Sequence, residues 1–286
     1  MSLLEVLNDP KQPLLNVEWC PPQMDLSLEQ SLEAWIDNNH FIRKVTSLQR
    51  FIFMTDGSMG RREEQNLRHV ITNLGSDADH SMIVPILTAK HPSDYCIDFS
   101  EKAYALGFRS LVVIGGDRFD SVPRCVEHAY ELRKMIREHV PDLILGGWAN
   151  PHGGTREVEF MADVDYCADF YLSQVTSHHD AEIVDNFLDE CDDRGVQIPG
   201  VFGVFYYRSA NPRTLHALGK YFPVPIKELK ADFSGGRKPE DICAQTIHDL
   251  LRSGMKNIYL SNLPTTDIGG RLARIEARLE DIRVSS

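Results

Sequence analysis

The sequence lacks the features that mark membrane-spanning, secreted and nucleic-acid-binding proteins. No apolar run reaches the roughly 18 residues of a membrane-spanning helix. The chain start has neither the basic segment nor the long apolar core of a signal peptide. Acidic residues outnumber basic ones by 42 to 30, which gives a net charge of −12. This charge disfavours general binding to nucleic acids or anionic membranes, so we expect neither as a partner.

Paired cysteines are also missing. The six cysteines are spread along the chain without a C-x-x-C pair, and they are Cys20, Cys96, Cys125, Cys167, Cys191 and Cys243. Such spacing in a chain of ordinary globular composition indicates reduced thiols, mostly buried. The sequence therefore predicts a cytoplasmic protein.

No metal site is predicted. The sequence that comes nearest to one is the pair His178-His179, followed by Asp180. Adjacent histidines on a strand point to opposite faces, and no third ligand stands at a recognisable spacing. The favoured interpretation is a loop or a helix N-terminus that Asp180 caps.

The most informative stretch that is present runs from Leu111 to Asp117. An apolar, mostly β-branched run ends there in Gly115, Gly116 and Asp117. Such a run is typical of a buried parallel strand, and the glycines allow a tight turn and close approach of a ligand. Asp117 would then stand beyond the carboxyl end of the strand, where α/β folds place their chemistry. The alternative is that Gly-Gly-Asp is only a strand-to-loop turn.

Similar apolar runs alternate with helical segments along the chain. Strands are predicted at residues 14–20, 51–55, 82–88, 111–116, 143–148, 170–174, 200–205 and 257–261. Helices are predicted at 27–38, 62–74, 93–106, 122–139, 155–164, 180–193, 212–221, 239–253 and from 267 onward, with Ser27 as an N-cap. Residues 223–237 are expected to be irregular.

Eight strands that alternate with helices predict parallel pairing and an α/β fold. Eight such units in one chain of this length suit a single (β/α)8 TIM barrel over residues 1–286. A doubly wound open sheet is the alternative. Its first turn should carry G-x-G-x-x-G, whereas here the first turn is Cys20-Pro21-Pro22.

The carboxyl ends of the predicted strands carry polar and aromatic side chains. In order they are Glu18, Thr55, Thr88, Asp117, Trp148, Gln174, Tyr207 and Asn262, with His152 shortly after Trp148. Carboxylates and an amide could bond the edge of a flat heteroaromatic ligand while aromatic faces stack on it. Glu18, beside Trp19 and Pro21, would be partly desolvated, which raises a carboxyl pKa toward that of a general acid.

Six short motifs share their order and spacing with a known enzyme family. They are Val-Glu-Trp-Cys-Pro-Pro, Phe-Met-Thr-Asp-Gly-Ser-Met-Gly, Ile-Gly-Gly-Asp, Gly-Gly-Trp-Ala-Asn-Pro-His, Tyr-Leu-Ser-Gln and Ile-Pro-Gly-Val, within residues 15–265. In that order they resemble Phe-Glu-Phe-Phe-Pro-Pro, a second strand-end loop, Arg-Gly-Asp, Ala-Tyr-Pro-Glu-Val-His, Ile-Thr-Gln and Ile-Pro-Gly-Ile of the methylenetetrahydrofolate reductase family. That family is a flavin-containing TIM barrel that reduces 5,10-methylenetetrahydrofolate to 5-methyltetrahydrofolate.

The resemblance implies roles for individual residues. Glu18 matches the general acid that assists opening of the methylene bridge, and Asp117 matches an aspartate that contacts the pterin and tunes the redox centre. Gln174 matches the pterin-binding glutamine, and Tyr207 falls near a folate-stacking phenylalanine. Trp148 and His152 match residues that line the flavin, and the strand-end residues Thr55, Thr88 and Gly116 complete the expected cofactor-binding set.

The sequence departs from the family at three expected flavin contacts. An arginine, a histidine and a lysine of the family are replaced here by Gly115, Ile86 and Asp163. Because FAD carries an anionic pyrophosphate, these losses make FAD doubtful and favour direct hydride transfer from NADH or NADPH. Basic residues that could compensate are Arg61, Arg62, Lys90, His91, Arg118 and Arg156.

Three functions remain open at this point. The first is a reductase of methylenetetrahydrofolate that uses NADH or NADPH, with a folate and a nicotinamide as its small-molecule partners. The second is a non-catalytic folate-binding protein. The third is a folate-dependent methyltransferase, for which the sequence has no feature that indicates a methyl acceptor or corrinoid partner. A homo-oligomer is compatible with all three.

Overall fold

Eight parallel strands form a closed barrel in chain order. The computed structural model describes residues 2–9, 14–57, 79–116 and 123–285. Each strand pairs with its neighbours in sequence, and the first strand closes the barrel on the eighth through the register Leu14 to Asn257. The predicted (β/α)8 barrel is therefore confirmed.

The strands lie close to the predicted positions. They are β1 Leu14–Trp19, β2 Ile52–Met54, β3 Ile83–Thr88, β4 Ser110–Ile114, β5 Ile144–Ala149, β6 Phe170–Thr176, β7 Gly200–Phe205 and β8 Asn257–Ser261. β2, β3 and β8 are buried along their whole length. Burial on both faces explains why their sequences are continuous apolar runs rather than alternating ones.

Helices cover the outside of the barrel and its two ends. In the described residues they are α1 Leu3–Leu7, α2 Leu28–Ser47, α3 Ser93–Ala105, α4 Ala129–His139, α5 Thr155–Ala162, α6 Ala181–Asp193, α7 Pro212–Leu218, α8 Ile226–Ser234, α9 Pro239–Arg252 and α10 Ile268–Ser285. The predicted helix 62–74 lies outside the described residues. None of the helices in the described ranges combines the length and apolar character that crossing a membrane requires.

One predicted helix begins at its expected cap, one begins later than predicted, and one helix was missed. Ser27 caps α2, since Ser27 Oγ accepts from Gln30 N at 3.3 Å and Ser27 N donates to Gln30 Oε1 at 3.1 Å. α4 starts at Ala129 rather than 122. The prediction of an irregular segment at 223–237 is wrong, because α8 forms inside it and buries Leu229 completely.

The interior of the barrel is packed with side chains and closed at its amino end. Leu3 and Leu7 of α1 belong to the interior apolar cluster, and Asn257 Nδ2 donates to Leu7 O at 2.9 Å. At the opposite end, the same cluster continues into Phe222 and Leu229, which lie in the segment of α7 and α8. The barrel is therefore sealed by α1 below, and the α7–α8 segment forms part of its upper end.

Candidate functional site

A cavity of about 770 Å³ lies at the carboxyl ends of the strands. Every strand contributes to its lining with a residue at or beside its end. These residues are Glu18, Thr55, Thr88, Ile114, Trp148, Gln174, Phe205 and Ser261. Because parallel strands of a barrel all end at the same face, residues far apart in sequence meet around one ligand-sized space.

Glu18 lies at the end of β1 beside the end of β8. Its Oε1 accepts a hydrogen bond from Ser261 Oγ at 2.6 Å. Burial raises the pKa of the Glu18 carboxyl, and the Ser261 hydroxyl lowers it by a smaller amount. A carboxyl with a raised pKa keeps its proton closer to neutral pH, as proton donation to a ligand requires.

Gln174 is presented by an irregularity in β6. The pairing of β6 with β7 shifts register between Leu172 and Val175. Gln174 Oε1 accepts from Val175 N at 2.9 Å, and this backbone donor identifies the oxygen of the side-chain amide. The group that Gln174 offers to the cavity is consequently its NH2, a hydrogen-bond donor.

Asp56 connects the ends of β2 and β3, a contact that the sequence analysis did not anticipate. Its Oδ2 accepts from Thr88 N at 2.9 Å, from Thr88 Oγ1 at 2.8 Å and from His91 Nε2 at 2.8 Å. The hydrogen bond that His91 donates to Asp56 raises the pKa of His91. Thr88 and His91 therefore both donate hydrogen bonds to Asp56, and the negative charge of Asp56 compensates any positive charge on His91.

Four cationic side chains line the cavity, and one of them, Arg133, is already hydrogen-bonded to the carbonyls of Val113 and Tyr166; the others are Lys90, Arg124 and Arg156. Lys90 and Arg156 were among the basic residues expected to compensate for the lost flavin contacts, whereas Arg124 was not. Arg61, Arg62 and Arg118 lie outside the described residues. Besides Glu18 and Asp56, two further carboxylates, Glu127 and Glu157, line the same space. Burial raises the pKa of Glu157, which also accepts from Asn150 N at 3.0 Å.

Gly115 and Gly116 make room for two of the cations. A Cβ at Gly115 would lie 2.7 Å from Arg124 Nη1, and a Cβ at Gly116 would lie 2.7 Å from Lys90 Cε. Arg124 Nη2 donates to Gly116 O at 2.6 Å. Gly116 also has a φ of +77°, which non-glycine residues rarely adopt. Gly115, which replaces the family's arginine, and Gly116, which matches its glycine, thus leave room for a guanidinium and an ammonium close to the strand end.

Two of the three departures from the family line the cavity, and the third does not. Ile86 and Gly115 line it. Asp163 is exposed after the last turn of α5, where its Oδ1 accepts from Asp165 N at 2.7 Å. Asp163 is not among the residues that line the cavity, although Phe160 in the last turn of α5 is. Arg156 in the first turn of α5 also lines the cavity.

Aromatic side chains contribute a large part of the cavity lining. They include Trp148, Phe205, Tyr221 and Phe222. The Phe205 and Phe222 ring centroids are 5.1 Å apart, and Tyr207 packs 4.9 Å from Phe205. Tyr207 is buried and does not line the cavity, so Phe205 presents the face that was expected from Tyr207.

Some of the remaining predicted site residues line the cavity and others do not. Thr55 and Gly116 line the cavity, as does Asn262. His152 does not; its Nε2 lies 3.7 Å from Asp180 Oδ1 in a largely buried position. Asp117, the expected pterin contact, lies outside the described residues.

His178-His179-Asp180 forms a short 3₁₀ helix ahead of α6. Asp180 Oδ2 accepts from Ser177 N at 2.9 Å, so it closes the turn of the 3₁₀ helix, and α6 begins at the next residue. The expected helix start is present.

The family comparison agrees with the geometry. A family model described as methylenetetrahydrofolate reductase matches residues 3–263. The chain belongs to the methylenetetrahydrofolate reductase family. No curated protein has a sequence that matches this chain.

Solved structures of similar fold are distant in sequence. An uncharacterized protein from Clostridium thermocellum that binds two copies of 5-methyl-5,6,7,8-tetrahydrofolic acid is 16% identical, with a TM-score of 0.69 over 99% of this chain and 100% of that one. An F420-dependent secondary alcohol dehydrogenase in complex with an F420-acetone adduct is 10% identical, with a TM-score of 0.55 over 94% of this chain and 98% of that one. A mutant tryptophan synthase α-subunit from Pyrococcus furiosus is 12% identical, with a TM-score of 0.52 over 95% and 97%. These likenesses show the barrel fold.

The donor set of the cavity suits a dinucleotide. Arg124 and Arg156 are guanidinium groups and Lys90 is an ammonium group, and these are the groups that bind phosphate oxygens. The flavin dinucleotide that the family implies and a nicotinamide dinucleotide both carry a pyrophosphate. The residues present therefore fit either one, and Lys90, Arg124 and Arg156 would hold its phosphates.

Proposed function

We propose that this protein reduces 5,10-methylenetetrahydrofolate to 5-methyltetrahydrofolate with NADH or NADPH. The observation that carries the proposal is Glu18, a carboxyl of raised pKa in a cavity that aromatic and cationic groups surround. Family membership supports a folate ligand.

In this reaction Glu18 donates a proton to a nitrogen of the methylene bridge. The bridge then opens, and the methylene carbon becomes an iminium carbon that accepts hydride. Hydride from the nicotinamide forms the methyl group, and Glu18 regains a proton from solvent. One nicotinamide is oxidised, one methylene group is reduced and one proton is consumed in each turnover.

Other residues of the cavity hold the folate in place. The NH2 of Gln174 would donate to an acceptor on the pterin edge, and Phe205 would stack on a ring face. Asp117 is proposed to accept from the pterin, as its match in the family does. Trp148 would line the second ring that enters the cavity.

We further propose that hydride passes directly from the nicotinamide to the folate, without a resident flavin. A flavin held in the cavity would supply a relay for the hydride. Ile86 supports a direct transfer, because it is uncharged where the family has a histidine. At Gly115 the family's arginine is lost as well, and the guanidinium beside it comes from Arg124. A cavity of about 770 Å³ is large enough for two ring systems to meet, which is what direct transfer needs. Lys90, Arg124 and Arg156 would then hold the nicotinamide dinucleotide.

The proposal is tested by steady-state turnover. Purified protein should oxidise NADH or NADPH only when methylenetetrahydrofolate is present, and should form one 5-methyltetrahydrofolate for each nicotinamide oxidised. Folate binding measured by calorimetry without any nicotinamide oxidation would contradict it.

A non-catalytic folate-binding protein is the second candidate. It is favoured by one structural neighbour, the Clostridium thermocellum protein, which binds two copies of 5-methyl-5,6,7,8-tetrahydrofolic acid. The same turnover assay separates the two functions, because a binding protein has no use for a nicotinamide. Glu18→Gln should also leave a binding protein fully functional.

A further inference from the structure

A second group of polar side chains lies outside the cavity, between the loop after β6 and α8. His178 and His179 follow β6 directly, and Asp232 comes from α8. Asp232 Oδ2 lies 3.2 Å from His178 Nε2 and 3.1 Å from His179 Nε2, and all three ligand atoms lie within 4.8 Å of one another. The side chains are 8%, 26% and 13% exposed in the order His178, His179 and Asp232, so the group is largely shielded from solvent.

Local structure brings the two histidines to the same side. On a strand they would face opposite ways, but here they occupy the 3₁₀ helix His178–Asp180. Their ring centroids are 3.9 Å apart with 40° between the planes, and both Nε2 atoms turn toward Asp232. The third group comes from a helix that the sequence did not predict, which explains why no ligand spacing was visible in the sequence.

Two of the three distances between these atoms match the shell around a small divalent cation. Zinc binds histidine nitrogen and carboxylate oxygen at about 2.0–2.2 Å, so two ligand atoms of a tetrahedral site lie roughly 3.3–3.5 Å apart. The two measured nitrogen–oxygen distances, 3.1 and 3.2 Å, are close to this edge length. Two histidines and one carboxylate also form a donor set that zinc prefers, with one position left for water.

Hydrogen bonds to neighbouring residues orient the side chains of this cluster. Thr246 Oγ1 donates to Ile242 O at 3.1 Å, so its contact of 3.3 Å with His178 Nδ1 requires the ring N–H to be the donor. A neutral His178 then directs the lone pair of Nε2 at the Asp232 carboxylate. Two acceptors that face each other at 3.2 Å repel unless a positive charge lies between or beside them.

Arg237 supplies part of that charge from one side. Its Nη1 donates to Asp232 Oδ1 at 2.9 Å and lies 3.4 Å from His178 Nε2. The bond to Oδ1 leaves Oδ2 directed at the two histidines, as expected for a metal-binding carboxylate whose other oxygen is held by a neighbour. A bound ion would displace the longer contact of Arg237 with His178 Nε2 and the hydrogen bond between His179 Nε2 and Asp232 Oδ2.

We propose that His178, His179 and Asp232 form a binding site for a zinc-class divalent metal ion. The ion would join the loop after β6 to α8. β6 carries Gln174, and the segment before α8 carries the cavity residues Tyr221 and Phe222, so the site would fasten part of the cavity wall. The site goes beyond the proposed folate chemistry and does not depend on it.

The test is metal binding by the full chain after treatment with a chelator. Equilibrium dialysis against Zn²⁺ should give one ion per chain, and Co²⁺ should give the intense visible absorption of a four-coordinate site. Asp232→Asn and His179→Ala should each weaken binding by more than the roughly 10–100-fold that loss of an outer partner costs, and Thr246→Val should weaken it within that range. His216→Ala, which removes an exposed histidine of α7, is the control and should bind as the parent does.

Two results would overturn the proposal. One is the absence of saturable Zn²⁺ or Co²⁺ binding to a folded parent protein, which would leave Arg237 as the charge that holds the cluster. The other is unchanged binding in Asp232→Asn and His179→Ala. Circular dichroism shows whether each variant is folded. His179 is the most exposed of the three side chains, so the His179 variant should fold even if the Asp232 variant does not.

Discussion

Glu18 is the side chain on which the proposed chemistry depends. It is a carboxyl group whose pKa is raised by burial, at the point where β1 and β8 present their ends to the cavity. A proton donor of this kind contributes to the rate and little to ligand affinity. Its contribution is therefore separable from binding.

Glu18→Gln should lower kcat by about 10²–10⁴-fold, the usual contribution of a positioned proton donor. Glutamine keeps the shape and can still accept from Ser261, so folate affinity should stay close to that of the parent. Steady-state kinetics and calorimetry measure the two quantities. An unchanged kcat would remove Glu18 from the mechanism.

Ser261 tunes the same carboxyl. Its hydroxyl donates to Glu18 and so favours the ionised form, which lowers the pKa. The active form is the protonated one, so activity should fall as pH rises through the raised pKa of Glu18. Ser261→Ala removes the bond, which raises the pKa further and should move this falling limb of kcat/KM to higher pH. A limb at the same pH in parent and variant would show that another group governs it.

In the proposed enzyme, the end of β4 would position the cationic groups that bind the phosphates of the nicotinamide dinucleotide. Gly115→Ala would place a methyl group 2.7 Å from Arg124 Nη1, and only the flexible end of the arginine must move. The fold should tolerate this, while the KM for NADH or NADPH should rise by about ten- to a hundredfold, as loss of one charge-assisted hydrogen bond implies.

Matched variants make that prediction specific. Arg124→Gln should raise the nicotinamide KM by a similar factor. Gly219→Ala is the control, because its Cβ would be 3.5 Å from His216 O, an ordinary contact. An Arg124→Gln enzyme with the KM of the parent would show that this guanidinium does not contact the dinucleotide.

α8 is the element that the sequence analysis missed, and it stabilises the upper end of the barrel. Leu229 is completely buried in the interior cluster. Leu229→Ala should lower the free energy of unfolding by about 2–5 kcal/mol, the usual cost of a cavity at a fully buried leucine. Denaturant unfolding measures it, with Lys230→Ala on the exposed face of α8 as the control. Equal stability of both variants would mean that α8 is not packed on the barrel as described.

The architecture of the whole molecule was predictable because it depends on repeated local signals. Eight buried runs such as β4, each ending in polar residues, give the barrel and place Glu18 and Gln174 at one face. Side-chain identity at a strand end, however, does not determine which neighbour reaches the ligand. Phe205 rather than Tyr207 lines the cavity because the chain turns after β7 and buries the tyrosine.

Contacts between segments that are distant in sequence were not predictable. Arg124 reaches the end of β4 only because Cys125 N donates to Ala89 O at 2.7 Å, which ties that segment to the end of β3. Asp232 meets His178 only because α8 folds over the loop after β6. Asp163 was assigned to the cavity by alignment alone, although the direction of α5 takes it to the far end of that helix. The position of each of these side chains depends on tertiary packing and not on a local sequence pattern.

Direct hydride transfer is the central claim for the molecule as a whole, and isotope labelling tests it most directly. The reductant should be NADH or NADPH deuterated at both positions of its reactive carbon, and the protein should first be freed of any flavin. Because the hydride would pass between two rings in contact, it cannot exchange with water, and mass spectrometry should find one deuterium in the methyl group of 5-methyltetrahydrofolate. A methyl group without deuterium, or product that forms only after FAD is added, would contradict the claim.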